Sequence, residues 1–198
     1  GKNILAYQNN FNELQVYYRG KLETLATLQP VSYKAGRNTV AYIDNYNRFK
    51  IYHKGNLIQA DPFKPQSYQV ADDIVAYVNQ NGQLMVFHDG LLMEIESQPP
   101  TSFEAKDGFV VYSLPSGQFK AFYNGETFFL ESYVPESYKV DDQSLVYPDY
   151  MNKLKGVYHG EMVEPAERIA VDYEVYLDVV TSFVQMARPQ FYYQGKVY

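Results

Sequence analysis

Apolar segments and polar turns alternate along this chain in a pattern that returns every 35 residues. The stretch from Ile74 to Asp107 shows the unit most clearly, and five further copies of its pattern surround it. A glycine closes the same apolar element in every copy, at Gly20, Gly55, Gly90, Gly125, Gly160 and Gly195. A tyrosine marks another point of the pattern, at Tyr7, Tyr42, Tyr77, Tyr112 and Tyr147. Six copies in phase, without an insertion, predict a repeat architecture.

The second copy serves as a template for the secondary structure. The apolar run Thr39–Ile43 predicts a strand covered on both faces, and residues 49–53 predict its hairpin partner. A third strand is expected near residues 57–60 and a fourth at residues 67–70. The first hairpin turn ends on a residue that accepts a left-handed backbone, and this residue recurs as Asn12, Asn47, Gly82, Gly117 and Asn152.

Four short strands per copy, joined by tight turns, predict the fold class. The chain is expected to be all-β, a β-propeller of six blades with four antiparallel strands each and an incomplete last blade. It would form one domain over residues 1–198, with repeats at about 1–36, 37–71, 72–106, 107–141, 142–176 and 177–198. An open superhelical β-repeat is the structural alternative. Because the last copy stops soon after Gly195, we expect the natural chain to be longer.

The layout of the repeat resembles that of TolB-type (WD-like) β-propeller proteins. The residues that carry the resemblance are Pro65, Ser67, Ala76, Tyr77, Val86, Phe87 and Gly90, with equivalents in most copies. The resemblance implies architecture, and no functional residue is carried over from it.

Composition narrows the classes of partner. Hydrophobic residues make up 46% of the chain, which is ample for a core, and 21 Tyr and 12 Phe suit pleated, half-buried surfaces. A net charge of -6 disfavours nucleic acid, whose phosphates need a basic face. The absence of Cys excludes disulfides and thiol chemistry, and no apolar run long enough to span a membrane is present. We expect an extracytoplasmic location, periplasmic or at the cell surface.

Candidate catalytic and metal-binding residues are few. His53 and His88 occupy one repeat position, so neighbouring sheets should hold them on the order of 10 Å apart, too far for one metal ion. No nucleophile elbow, phosphate loop or zinc-protease motif occurs in the sequence. The sequence therefore predicts a protein that is not an enzyme and that needs neither cofactor nor metal. One column of mixed charge is expected to face the propeller axis: Lys34, Gln69, Glu104, Lys139 and Glu174.

Aromatic residues fall into two groups. The regular tyrosine column is expected to pack between sheets, where a ring buries a large area and its hydroxyl can reach a polar rim. Irregular apolar residues on hairpin tips are poorly explained by folding alone and mark a candidate partner surface. The candidates are Phe11, Tyr46, Tyr150 and Met151, with Met186 and Arg188 in the atypical last copy.

Three functions remain open from the sequence. The first is a non-catalytic scaffold that binds a protein partner through hairpin tips or the seam between first and last blades, in a bacterial cell-envelope or secretion assembly. The second is a carbohydrate-binding, lectin-like propeller. The third is a hydrolase or lyase with its site at the channel mouth, which rests on fold analogy alone.

Overall fold

The computed structural model describes residues 3–141, 143–177, 179–184 and 187–198, and every regular element among these residues is a β-strand. The chain divides into two compact units, residues 1–105 and 106–198. None of the described residues forms a helix long and apolar enough to cross a membrane.

Antiparallel sheets build the first unit. The first sheet has three strands, β1 (Ile4–Gln8), β2 (Leu14–Tyr18) and β3 (Lys21–Ala26). The second has four, in the order β4 (Ser32–Ala35), β5 (Thr39–Ile43), β6 (Phe49–His53) and β7 (Asn56–Asp61). The third repeats this order with β8 (Ser67–Ala71), β9 (Ile74–Val78), β10 (Leu84–His88) and β11 (Leu91–Glu96).

Sheets of the same form make up the rest of the chain. The fourth runs in the order β12 (Ser102–Lys106), β13 (Phe109–Ser113), β14 (Phe119–Tyr123) and β15 (Glu126–Glu131). The fifth contains β16 (Lys139–Asp141), β17 (Ser144–Pro148), β18 (Leu154–Tyr158) and β19 (Glu161–Val163). The sixth contains β20 (Asp172–Tyr176), β21 (Val179–Phe183), β22 (Gln190–Tyr193) and β23 (Lys196–Val197).

The sequence repeat and the sheet are offset by one strand. β8 ends the second copy of the sequence pattern, but it pairs with β9 of the next sheet, with Tyr68 opposite Tyr77. The offset corrects one prediction, because the sixth sheet has four strands and is not incomplete. The three-stranded sheet among the described residues is the first.

Backbone conformation explains the recurring turn residues. The turn-ending residues Asn12, Asn47, Gly82, Gly117 and Asn152 all have positive φ, between 58° and 88°. The six recurring glycines have φ between 79° and 93°, and the residue before each lies between 45° and 51°. Two successive left-handed residues form the tight hairpin turn that fits the twist of antiparallel strands. The predicted left-handed turns are therefore confirmed.

Buried tyrosines connect each sheet to the one before it. Tyr42, Tyr77 and Tyr147 are at most 1% exposed, and each hydroxyl donates a hydrogen bond to a backbone carbonyl on the outer strand of the preceding sheet. The pairs are Tyr42 with Leu25 (2.9 Å), Tyr77 with Ala60 (3.2 Å) and Tyr147 with Leu130 (3.1 Å). Burial raises the pKa of Tyr42 to about 12 and also raises that of Tyr77 and Tyr147, so these hydroxyls stay protonated donors at neutral pH. The predicted packing of this column between sheets is confirmed for these three tyrosines.

The column expected to line an axis also joins neighbouring sheets. Lys34 Nζ donates to the carbonyl of Tyr68 (2.7 Å) and lies 4.7 Å from the centre of the Tyr68 ring. Gln69 donates to the carbonyl of Phe103 (2.8 Å) and accepts the Ala105 N–H (3.0 Å). These side chains satisfy backbone groups of the corresponding strand in the next sheet, so they hold neighbouring sheets together.

In the second unit, a side chain of the same column also bonds to a backbone group of the next sheet. Lys139 donates to the carbonyl of Tyr173 and pairs with the carboxylate of Glu174 at 3.2 Å. The mutual compensation of charge expected for this column is thus seen in the Lys139–Glu174 pair.

Replacing Tyr77 by Phe should lower the free energy of unfolding by about 1 kcal/mol, because the ring stays while the hydrogen bond to Ala60 is lost. Tyr7→Phe is the matched control, since the half-buried Tyr7 bonds only a side chain of its own sheet, Gln15, at 2.8 Å. We expect the control to change stability by less than about 0.5 kcal/mol. Urea denaturation measures both, and equal losses would contradict a role of the tyrosine column between sheets.

Candidate functional site

The candidate tip residues lie in the hairpin turns β1–β2, β5–β6 and β17–β18. Phe11 is 81% exposed, Tyr46 67%, Tyr150 74% and Met151 53%. Side chains of this size are seldom left in water without a reason when a polar residue fits the same turn. Asn81 stands at the equivalent position of the β9–β10 turn, so the turn itself does not need an apolar side chain there. Their part in binding stays a prediction.

A side-chain oxygen at the start of each of these turns fixes the backbone of the tip. In the β5–β6 turn, Asp44 Oδ1 accepts the N–H groups of Tyr46 and Arg48, both at 2.9 Å. In the β17–β18 turn, Asp149 Oδ1 accepts those of Met151 (2.8 Å) and Lys153 (3.0 Å). Asn9 and Asn79 make the same pair of bonds in their own turns. The tip residues are therefore presented on a preorganised backbone.

The sequence analysis missed this acceptor. The signal was present in the 35-residue spacing of Asn9, Asp44 and Asn79, with Asp149 two repeats further on. Asn and Asp both carry the required side-chain oxygen. This repeat position is therefore recognised by a shared chemical group and not by a single residue type.

Charge stabilises the Asp44 carboxylate. Its Oδ2 lies 2.8 Å from Arg48 Nε and 3.1 Å from Lys50 Nζ. Burial on its own favours the neutral acid, but hydrogen bonds from the Arg48 backbone and from the Lys50 and Arg48 side chains outweigh it and lower the pKa of Asp44. The Arg48 guanidinium also lies 4.9 Å from the centre of the Tyr46 ring, which orients that exposed ring.

In the second unit, two tyrosines form one side of a groove. The hydroxyl of Tyr133 accepts the backbone N–H of Tyr150 at 2.8 Å. The two rings are 6.2 Å apart and inclined at 74°, an edge-to-face arrangement. The groove has a volume of about 490 Å³, and its other lining residues are Val134, Pro135, Glu136, Pro148, Asp149 and Asn152.

In the first unit, a related groove lies beside the β5–β6 and β9–β10 turns. Its volume is about 440 Å³, and it is lined by Asn47, Phe63, Lys64 and Gln80. Phe63 and Gln80 occupy the repeat positions of Tyr133 and Tyr150, so this groove has one ring where the other has two. Gln80 holds the loop by donating to the Lys64 carbonyl at 2.5 Å.

Two of the candidate partner-binding residues belong to the last copy of the repeat. Met186 lies outside the described residues. Arg188 is exposed in the segment between β21 and β22, directly before Pro189. Pro189 lies directly before β22, and β22 pairs with both β21 and β23.

The histidines were expected to be structural. His53 is buried, with Nδ1 2.7 Å from Thr39 Oγ1, and its ring packs edge-on against Phe87 at 5.2 Å. Burial lowers the pKa of His53, which keeps the imidazole neutral near pH 7. Within the described part of the chain, no three His, Asp or Glu side chains come close enough together to hold a metal ion.

These antiparallel sheets and inter-sheet contacts define a protein of the β-propeller class. A family model for the 10-bladed β-propeller domain matches residues 1–198. The protein therefore belongs to the 10-bladed β-propeller domain family. The described residues form six sheets, whereas the family model describes a propeller of ten blades, so the predicted propeller of six blades is not confirmed. No curated protein matches the sequence.

Solved propellers show a distant likeness. The CRINKLY WD40 ectodomain of the Arabidopsis thaliana receptor kinase ACR4 is 8% identical, with 96% of this chain and 78% of that chain covered and a TM-score of 0.46. Yeast RCC1 (Prp20), in a structure with Kap60 bound, is 8% identical, with 96% and 54% covered and a TM-score of 0.43. The computationally designed Ika8 protein is 15% identical, with 98% and 69% covered and a TM-score of 0.42. At such scores the likeness supports no conclusion about function.

Substitutions at Asp44 should separate the stability that comes from its hydrogen bonds to the turn backbone from the stability that comes from its negative charge. Asp44→Ala removes the acceptor of two backbone N–H groups and should cost about 1–3 kcal/mol at pH 7. Asp44→Asn keeps an oxygen there, as Asn9 and Asn79 do, and should cost less. Because the folded-state pKa is lowered, the stability from ionisation is complete above the ordinary carboxyl pKa of 3.8 and is lost as pH falls through the folded value.

The stability gap between the wild type and Asp44→Asn should therefore close in acid. Urea denaturation from pH 7 down to pH 2.5 measures this gap. A gap that does not change with pH, or equal losses for Asn and Ala at pH 7, would contradict the assignment.

Proposed function

We propose that this protein is a non-catalytic β-propeller scaffold that binds a protein partner through its hairpin tips. The first-unit tip surface consists of Phe11 and Tyr46, and the second-unit tip surface of Tyr150 and Met151. The observation that carries the proposal is that these apolar side chains are more than half exposed on turns whose backbone is already fixed.

Preorganisation makes these tips suited to binding. A partner that covers them removes apolar surface from water and gains about 25 cal/mol per Å². Little backbone entropy is lost in return, because the aspartate or asparagine acceptors hold the turns before binding. Aromatic side chains are enriched among the residues that dominate such interfaces. Arg48 over the Tyr46 ring adds a cationic contact at the same tip.

The cellular setting is a further part of the proposal. The proposed setting is outside the cytoplasm, in a bacterial cell-envelope or secretion assembly. The exposed Arg188, with Met186 two residues before it in the sequence, is the second candidate region for the partner.

A carbohydrate is the second candidate ligand, and the first-unit groove favours it. One aromatic ring, Phe63, stands there with the amides of Asn47 and Gln80, a combination that can stack on a sugar and bond its hydroxyls. A glycan array should then give hits that Phe63→Ala removes. An array without hits at high protein concentration excludes this candidate.

Replacing Phe11, Tyr46 and Met151 together by Ser should abolish capture of the partner from the native source and leave the melting temperature unchanged. The side chains are exposed, so their loss leaves the core intact. The matched control replaces Leu22, Leu57 and Met162 by Ser, because these outer-strand residues are 56%, 48% and 49% exposed. Quantitative mass spectrometry compares the captured proteins. Capture that survives the tip variant, or that both variants lose equally, would reject the tips as the binding surface.

A further inference from the structure

We propose that the groove between Tyr133 and Tyr150 binds an extended, proline-containing peptide segment that carries a basic residue. This inference rests on the proposed function, since it names the chemistry of the segment that a protein partner would place at the second-unit tip surface. Three features of the groove carry it: the fixed rings, the proline walls and the charge.

The two rings are held before any ligand arrives. The Tyr133 hydroxyl accepts the Tyr150 N–H at 2.8 Å, so the loop after β15 is fastened to the β17–β18 tip. The rings then meet edge to face at 6.2 Å and 74°, and the Tyr150 ring is 74% exposed. An exposed ring on a tethered backbone offers a flat apolar surface at little entropic cost.

Two of the remaining walls are rigid. Pro135 and Pro148 line the groove and have no backbone N–H, and Val134 adds an apolar side chain. Asp149 and Asn152 add polar groups to the lining, so a ligand can pack against the rings and prolines and also form hydrogen bonds. Pro-rich segments already adopt the extended polyproline II helix and dock into aromatic-lined grooves of this kind. The volume of about 490 Å³ is enough for a few residues of such a segment.

The charge beside the groove selects a basic residue. Lys155 Nζ is shared by Glu131 at 2.9 Å and Asp149 at 3.5 Å, so one ammonium serves two carboxylates. The exposed Glu136 adds a third carboxylate to the groove wall. A Lys or Arg next to the prolines would be attracted by this excess, with an affinity that falls as salt rises.

Fluorescence anisotropy on the whole chain tests the inference. The probe is a labelled peptide with two prolines spaced by two residues, followed by arginine. It should bind, and Tyr150→Ala should weaken binding about tenfold, or about 1.4 kcal/mol. Gln80→Ala is the matched control at the same repeat position and should leave binding unchanged. Urea denaturation confirms that both variants are folded, as expected for exposed side chains.

Changing the peptide tests each feature in turn. Replacing its prolines by alanine, or its arginine by glutamate, should also weaken binding about tenfold, and Glu136→Gln should reduce the preference for arginine. No binding, equal binding to Tyr150→Ala, or equal binding of the alanine peptide overturns the inference. Binding of an oligosaccharide that depends on Tyr150 overturns it in favour of a sugar site.

The two proposals can fail separately. Tyr150 is not part of the triple tip variant. If the peptide does not bind while that variant still loses the partner, the peptide groove is rejected and the scaffold proposal stands. If partner capture also survives the triple variant, both proposals are rejected.

Discussion

The hydrogen bond from a buried tyrosine to the outer strand of the preceding sheet is the interaction on which this structure depends. A four-stranded sheet cannot bury both of its faces alone, so each sheet needs a neighbour. Tyr77 shows how the need is met: its ring packs 4.9 Å from that of Phe49 in the second sheet, and its hydroxyl reaches Ala60 at the rim of that sheet. A tyrosine thus supplies apolar area at one end and a donor at the other.

The first strands of the sheets add further contacts between neighbouring sheets, through ring packing and side-chain hydrogen bonds. Tyr68 packs 5.1 Å from Phe49, and its hydroxyl meets Ser32 Oγ at 2.9 Å. Lys34 and Gln69 then satisfy backbone groups one repeat ahead. Within each unit the sheets are therefore joined by packing in the middle and by hydrogen bonds at both ends.

Because stability comes from these recurring columns, the hairpin tips are free to vary. Asn or Asp supplies the acceptor oxygen at the first position of the turn, and Asn or Gly supplies the left-handed backbone at its fourth. The residues between them are not constrained by the fold. Tyr46 and Asn81 occupy the same position of equivalent turns, and this freedom is what allows a repeat scaffold to carry a specific binding surface.

Periodicity made most of the fold predictable. The strand at Thr39–Ile43, the left-handed turns and the buried tyrosines all follow from residue types that recur with a steric or apolar cause. The partner of the last strand in each copy was harder to infer, because a repeat has no natural starting point. The same pattern allows that strand to pair within its own copy or with the first strand of the next copy. The number of blades in the family could not be read from this chain at all.

The candidate site was predictable only in part. Exposure of Phe11 and Tyr46 followed from their irregular place in the pattern. The groove did not, since Tyr133 and Tyr150 belong to different columns and meet only where two loops come together. Lys34 was likewise predicted only as a channel-lining charge, and the bond from its long side chain to a carbonyl of the next sheet was not foreseen.

The state of the Tyr42 hydroxyl is the most direct test of the central interaction. Burial, together with the negative charge of Asp44, raises the pKa of Tyr42 from 10.0 to about 12, in the same position from which its hydroxyl bonds to Leu25. Carbon-13 NMR of the tyrosine Cζ atoms, with Tyr42→Phe to assign the signal, follows its ionisation with pH. The account predicts that Tyr42 stays protonated up to about pH 12, or ionises only when the chain unfolds in alkali. Ionisation of Tyr42 near pH 10 in the folded protein would contradict it.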